Sequence, residues 1–279
     1  MGGLNPPKSP PSHQKLHRQS GLTLIEVMVS LALGIAFLTV ALGSLVTAQK
    51  TWHDQDNHNR MQENARLALD ILRRHVPLAG YSEQTTLHPG YIYRGPCGPI
   101  NGQDLPQCSA ENEYTATAKI AGDVLAIAML SRPGQRDCRG FELKSASPAD
   151  GTEAPDAPPG TRFANVFWVQ PPASGRKSGT LSCRAYNIDA GQDGQFTGGT
   201  DHRILSGIDE LQVKYGLVDR TTGHVDRYLD ADQVESLGPA NWANVRAIRL
   251  ELVVSPDTEH TAEIQRTYTA LIALNNWRE

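Results

Sequence analysis

Aromatic residues make up only 6 % of the 279-residue chain, and methionine and cysteine number four each. The cysteines are Cys97, Cys108, Cys138 and Cys183. No two stand in a CxxC pair, which argues against a zinc knuckle or a thioredoxin-like redox site. Nucleophile elbow, metalloprotease motif, P-loop and dinucleotide fingerprint are all missing, so the chain is expected to be non-catalytic and to need no cofactor. Positive charge is not in excess. The formal net charge is -4, which leaves no broad basic face for phosphates, and no nucleic-acid partner is expected. The nine histidines form no ligand array. His53-Asp54-Gln55-Asp56-Asn57-His58 has ligand-type residues but fits a solvated turn. Asp189-Ala190-Gly191-Gln192-Asp193-Gly194-Gln195 is spaced like a calcium loop but lacks the distal bidentate Glu. A plain Asp/Gly turn is the alternative, and no metal is expected.

What charge there is lies unevenly. Residues 1–21 hold Lys8, Lys15 and Arg18 and no acid, so they carry +3 and the rest of the chain -7. From Leu22 to Val46 follows a run with a single charge, Glu26. As a helix it is about 37 Å long, enough to cross a bilayer core. A basic flank ahead of an apolar helix keeps the N-terminus cytoplasmic. A secretory signal would place a small residue after the apolar core. Here Gly21 stands before it, so a cut there keeps the helix. Glu26 lies one turn inside the run, where a carboxylate costs about 3 kcal/mol at membrane depth. It either pairs with an amine, such as the α-amino group freed at Leu22 on a neighbouring chain, or sits close enough to the interface to be solvated.

The helical pattern continues through Met61, Ala65, Leu69, Leu72 and Val76 and is stopped by Pro77. Ser30/Gly34 and Ala32/Ala36 are spaced for close helix approach. Beyond Pro77 the pattern predicts strands over 124–130, 163–169, 180–186, 210–217, 245–254 and 263–274. Alternation at Ile248, Leu250, Leu252 and Val254 predicts a sheet with one buried face. Residues 144–162 predict a Pro/Ala/Gly-rich surface loop. The expected divisions are 1–21, a leader; 22–46, the membrane or filament-core half of a helix; 47–76, its amphipathic half; and 77–279, a β-rich head. An even cysteine count in an exported head points to disulfides. The favoured pairs are Cys97–Cys108, closing a short Pro/Gly-rich loop, and Cys138–Cys183, joining two strand regions. Free buried thiols are the alternative.

Gly21-Leu22-Thr23-Leu24-Ile25-Glu26 resembles the type IV prepilin processing motif, with Leu22 where relatives usually have Phe. The resemblance implies cleavage by prepilin peptidase between Gly21 and Leu22, N-methylation of Leu22, and a subunit-assembly role for Glu26. Gln62-Glu63-Asn64-Ala65-Arg66, Ala79-Gly80-Tyr81, Gly122-Asp123-Val124-Leu125, Asp137-Cys138-Arg139-Gly140, Leu181-Ser182-Cys183 and Ile208-Asp209-Glu210-Leu211 resemble the PilW minor pilins. Val245–Val254 resembles the last long strand pair of that family. Asp219–Asp226 lies where many relatives carry a carboxylate-rich run, but Arg, Thr and His stand in its middle. The implied fold is α+β and pilin-like, with a long N-terminal helix packed on a mainly antiparallel sheet. The implied function is priming of type IV pilus assembly and incorporation at the pilus tip. A GspJ-like minor pseudopilin of a type II secretion system is the alternative. Implied partners are prepilin peptidase, other minor pilins, the major pilin, the inner-membrane assembly platform, membrane lipid before assembly, and a tip adhesin as a further candidate. The implied location is the inner membrane with the head periplasmic, then the pilus.

Overall fold

A computed structural model describes residues 21–80, 92, 94, 98–100, 103–105, 108–109, 120–144, 156–172, 178–190, 201–219, 221–256 and 265–274. The chain divides into two compact units, one ending at Asp54 and the other beginning at Gln55. Helix α1 (Leu24–His75) contributes to both. It starts two residues later than expected, because Thr23 stays outside and its carbonyl accepts the first helical N–H groups, from Glu26 and Val27. It ends at His75, and Val76–Leu78 forms a 3-10 turn. Pro77 disfavours the α conformation at Val76 and has no N–H to continue the ladder.

The described part of the first unit is the apolar front of α1 with the three residues before it. Every described residue from Gly21 to Thr47 is exposed. Five of its hydroxyls are bonded within the helix: Ser30, Thr39, Ser44, Thr47 and Thr51 donate back to the carbonyls of Glu26, Ala36, Ala41, Gly43 and Thr47. With the helical backbone and these five hydroxyls bonded internally, the surface between them suits an apolar solvent.

In the second unit the rear of α1 buries Asn57, Met61, Ala65, Ala68, Leu69 and Leu72 along one stripe. The strands are β1 (Gly98–Ile100), β2 (Gln103–Leu105), β3 (Leu125–Leu130), β4 (Arg162–Gln170), β5 (Thr180–Asn187), β6 (His202–Ser206), β7 (Ile208–Val218), β8 (Val225–Leu229), β9 (Val245–Val254) and β10 (Arg266–Ala273). A short helix, α2 (Ala231–Ser236), follows β8. Apart from the β1–β2 hairpin, the strands form two four-stranded antiparallel sheets, ordered β3-β4-β5-β6 and β10-β9-β7-β8.

The six strands expected from the pattern are all present, with bounds shifted by up to three residues. The head divides into two sheets rather than one. The β10-β9-β7-β8 sheet has the expected alternation, with Ile248, Leu250, Leu252 and Val254 buried and Arg249, Glu251 and Val253 partly exposed. In the other sheet, strands β3–β5 are buried on both faces. One face of β3–β5 (Leu125, Ile127, Phe167, Val169, Leu181, Cys183) joins the main core with the helix stripe. The opposite face (Val124, Ala126, Ala164, Val166, Trp168, Tyr186) packs a second core with Cys108 and Ile120. Most of the expected 144–162 loop lies outside the described residues; Lys144 pairs with Asp156, and the strand begins at Arg162.

Candidate functional site

The segment expected to be processed is exposed where it is described. Gly21, Leu22 and Thr23 precede the helix, and nothing lies within 4 Å of the position a Gly21 Cβ would take. Leu22 is 72 % exposed. The Gly21–Leu22 bond thus stands outside the helical hydrogen-bond ladder. Glu26 occupies the first turn of α1 and is the only acidic residue there. It is exposed, and its side chain has no partner among the described residues. The helix N-terminus favours a negative charge at this place.

In the head, several motifs picked out from the sequence are joints between layers. The first is Asn64. Its amide donates to the carbonyl of Ser206 at 3.2 Å and so ties α1 to the β6–β7 turn. At the centre of that turn is Gly207, with φ +85°, and an added Cβ would meet the Asn64 amide at 2.6 Å. The Gly207 N–H donates to Gly179, and Ser255 donates to the Gly207 carbonyl. One turn therefore holds the helix and both sheets.

The second joint is Gly122-Asp123. The early part of β7 has no β8 partner, and residues 121–123 fill that place. The Asp123 N–H donates to Leu211 at 2.6 Å, and the Val213 N–H donates to the Asp123 carboxylate at 2.8 Å. Gly122 has φ +76°, and a Cβ there would lie 2.2 Å from the Leu211 carbonyl oxygen. Only glycine meets both conditions.

The third joint is the turn Asp137-Cys138-Arg139-Gly140. The Asp137 side chain is 1 % exposed. One of its oxygens accepts the N–H groups of Arg139 and Phe141, and the other accepts the Arg139 guanidinium. Cys138 forms a disulfide with Cys183 on β5, across a separation of 45 residues. The Cys138 N–H donates to the side-chain carbonyl of Asn165, whose amide lies 3.4 Å from His75 Nδ1 at the end of α1. Burial pushes the His75 pKa down, against the pull of Asp137. The ring is then neutral and can accept the Asn165 amide at Nδ1. His75 also packs on Phe167 at 5.5 Å.

Of the expected cysteine pairs, Cys138–Cys183 is present. Cys108 is buried, and Cys97 lies outside the described residues. Residues 53–58 are helical rather than a turn, and Asn57 is buried. Residues 191–195 of the calcium-like run lie outside the described residues. Its first carboxylate, Asp189, is engaged by the backbone N–H and guanidinium of Arg162. At Asp219–Asp226, Asp219 accepts the hydroxyl and N–H of Thr221, which hold its carboxyl below the usual range. Among the described residues no group of three His, Cys, Asp or Glu side chains is placed to hold a metal ion.

Asn165 and His75 were not singled out from the sequence. The available signal for Asn165 was a lone amide inside the apolar run Phe163–Val169. A buried amide on a strand needs a partner.

Two family models match. One, Type IV Pilus-assembly protein W (PilW), covers residues 166–275, from β4 to just past β10. The other, the Prokaryotic N-terminal methylation motif, covers residues 16–42, including Gly21 and Glu26. No curated protein and no solved structure matches the chain.

Proposed function

We propose that the chain, which matches the PilW family model over residues 166–275 and the N-terminal methylation motif over 16–42, is a type IV pilus minor pilin that primes pilus assembly and is incorporated at the pilus tip. The observation that carries the proposal is the pairing of an exposed Gly21–Leu22 bond with an apolar helix that none of the described residues of its own unit covers. Such a helix requires an apolar surrounding, first lipid and then the helices of other pilins.

In this reading prepilin peptidase cuts after Gly21, and the new Leu22 amine is methylated. Glu26 then pairs with the N-terminal amine of a neighbouring subunit, which offsets the cost of its charge in the filament core. The head stays periplasmic until assembly and contacts other minor pilins, the major pilin and the assembly platform. The family match over residues 166–275 supports a pilus role over a secretion pseudopilin.

Gly21→Arg should leave an uncleaved precursor and remove surface pili. A trimmed Gly21→Arg protein that supports normal piliation would falsify the proposal. Glu26→Gln should be cleaved at the normal rate but fail to join pili. Deletion should stop twitching and leave exoprotein release intact; the reverse outcome assigns the chain to secretion.

A further inference from the structure

We infer that Lys50 and Trp52 form an interfacial anchor on the periplasmic side of the membrane, binding the phospholipid headgroup layer and setting how deep the helix sits. The inference rests on the membrane reading above and adds the place where the span ends. The apolar run stops at Val46, yet α1 goes on unbroken. Residues 19–49 contain no Lys or Arg, and Lys50 is the first cation after Arg18. Trp52, two residues later, is 71 % exposed. Neither side chain has a hydrogen-bond, ion-pair or ring partner among the described residues.

An indole this exposed leaves a large apolar area in water. At a bilayer interface its ring lies among the headgroups with its N–H hydrated. Lysine beside it reaches toward lipid phosphate along its apolar stem.

The spacing supports the same surface. From Leu24 to Trp52 the helix rises about 42 Å, matching the ~40–45 Å thickness of a bilayer with its headgroups. With Trp52 in the periplasmic headgroups, Leu24 reaches the cytoplasmic ones. The Gly21–Leu22 bond then lies at the cytoplasmic surface, where the proposed cleavage needs it. Without the anchor only the end of the apolar run at Val46 limits sliding. That leaves a margin of six residues, or about 9 Å.

The test uses the full chain in phosphatidylethanolamine/phosphatidylglycerol vesicles, comparing wild type with Trp52→Phe. The difference spectrum isolates Trp52 from the other tryptophans. The expected signal is blue-shifted, strongly quenched by lipid brominated near the glycerol backbone, and shielded from aqueous iodide. In cells Trp52→Ser should slow precursor cleavage at an unchanged Gly21. A Trp52 signal quenched freely by iodide and untouched by brominated lipid overturns the anchor while leaving the membrane span intact. A chain that washes off membranes in carbonate overturns the membrane reading itself, and the anchor with it.

Discussion

The two parts of α1 have the same backbone and opposite surroundings. Up to Val46 the helix is apolar on all sides and exposed on all sides. From Gln55 onward it has one apolar stripe, all of it buried, and its other faces carry Gln62, Glu63, Arg66, Asp70 and Arg73. The contrast shows that helix formation by itself says nothing about what a helix is for. Its function depends on which faces need covering and on what covers them. In the second unit the cover is the unit's own sheets. In the first unit the described residues supply none.

This contrast can be broken by substitution, and the largest effect is expected at the buried stripe. Leu72 has no exposure, so Leu72→Ala should lower head stability by about 2–5 kcal/mol. Leu38→Ala, on the exposed run, should leave it unchanged. Urea unfolding of the full chain in detergent, followed by far-ultraviolet circular dichroism, separates the two. Equal losses would show that the first unit also has an internal cover.

Next is the disulfide. Changing both Cys138 and Cys183 to serine should cost about 2–4 kcal/mol through the ring of 45 residues it closes. Reduction of wild type should cost at least as much, because it also opens the disulfide at Cys108. Asp137→Ala should cost about 1–3 kcal/mol, because it leaves the Arg139 and Phe141 N–H groups without their acceptor. Asn64→Ala removes one bond between α1 and the β6–β7 turn and should cost about 1 kcal/mol. Thermal melts would rank these three. An Asp137→Ala protein as stable as wild type would show that the turn is not held by its carboxylate.

The smallest effect is a pH dependence. In the fold, burial keeps His75 neutral, while the unfolded chain takes up its proton near 6.5. Below that pH the unfolded state binds more protons, so the stability contribution of His75 is present above about 6.5 and is lost as pH falls. Denaturation midpoints between neutral and mildly acidic pH should decline in wild type and decline less in His75→Gln. Identical slopes would remove His75 from the account.

The first unit was almost fully legible in the sequence, because one apolar run needs only counting. The rear stripe was also legible, since Met61, Ala65, Leu69 and Leu72 keep the helical period and Pro77 ends it. The head was legible strand by strand but not as two sheets. The near-continuous apolar run in β4 was the sign that β3–β5 are buried on both faces, whereas β9 alternates and has one buried face. Strands β6 and β8 escaped because they are five-residue edge strands carrying His202, Arg203, Asp226 and Arg227. Charges of that kind blunt a sheet edge and also hide it. The joints escaped in part. Gly122-Asp123 and Asp137–Gly140 stood out as motifs, but their roles depend on Leu211, Val213 and Asn165, which are distant in the chain.

The back-bonded hydroxyls of the first unit have a consequence for movement. Ser30, Thr39, Ser44, Thr47 and Thr51 all keep their protons inside the helix. Transfer of this segment from one oily surrounding to another breaks none of these bonds and requires no new ones. The segment is therefore portable: it can pass from lipid to a bundle of similar helices and back with its polar groups undisturbed. Glu26 is the charge inside the apolar run, so its carboxylate is the group for which such a transfer would change the surroundings most.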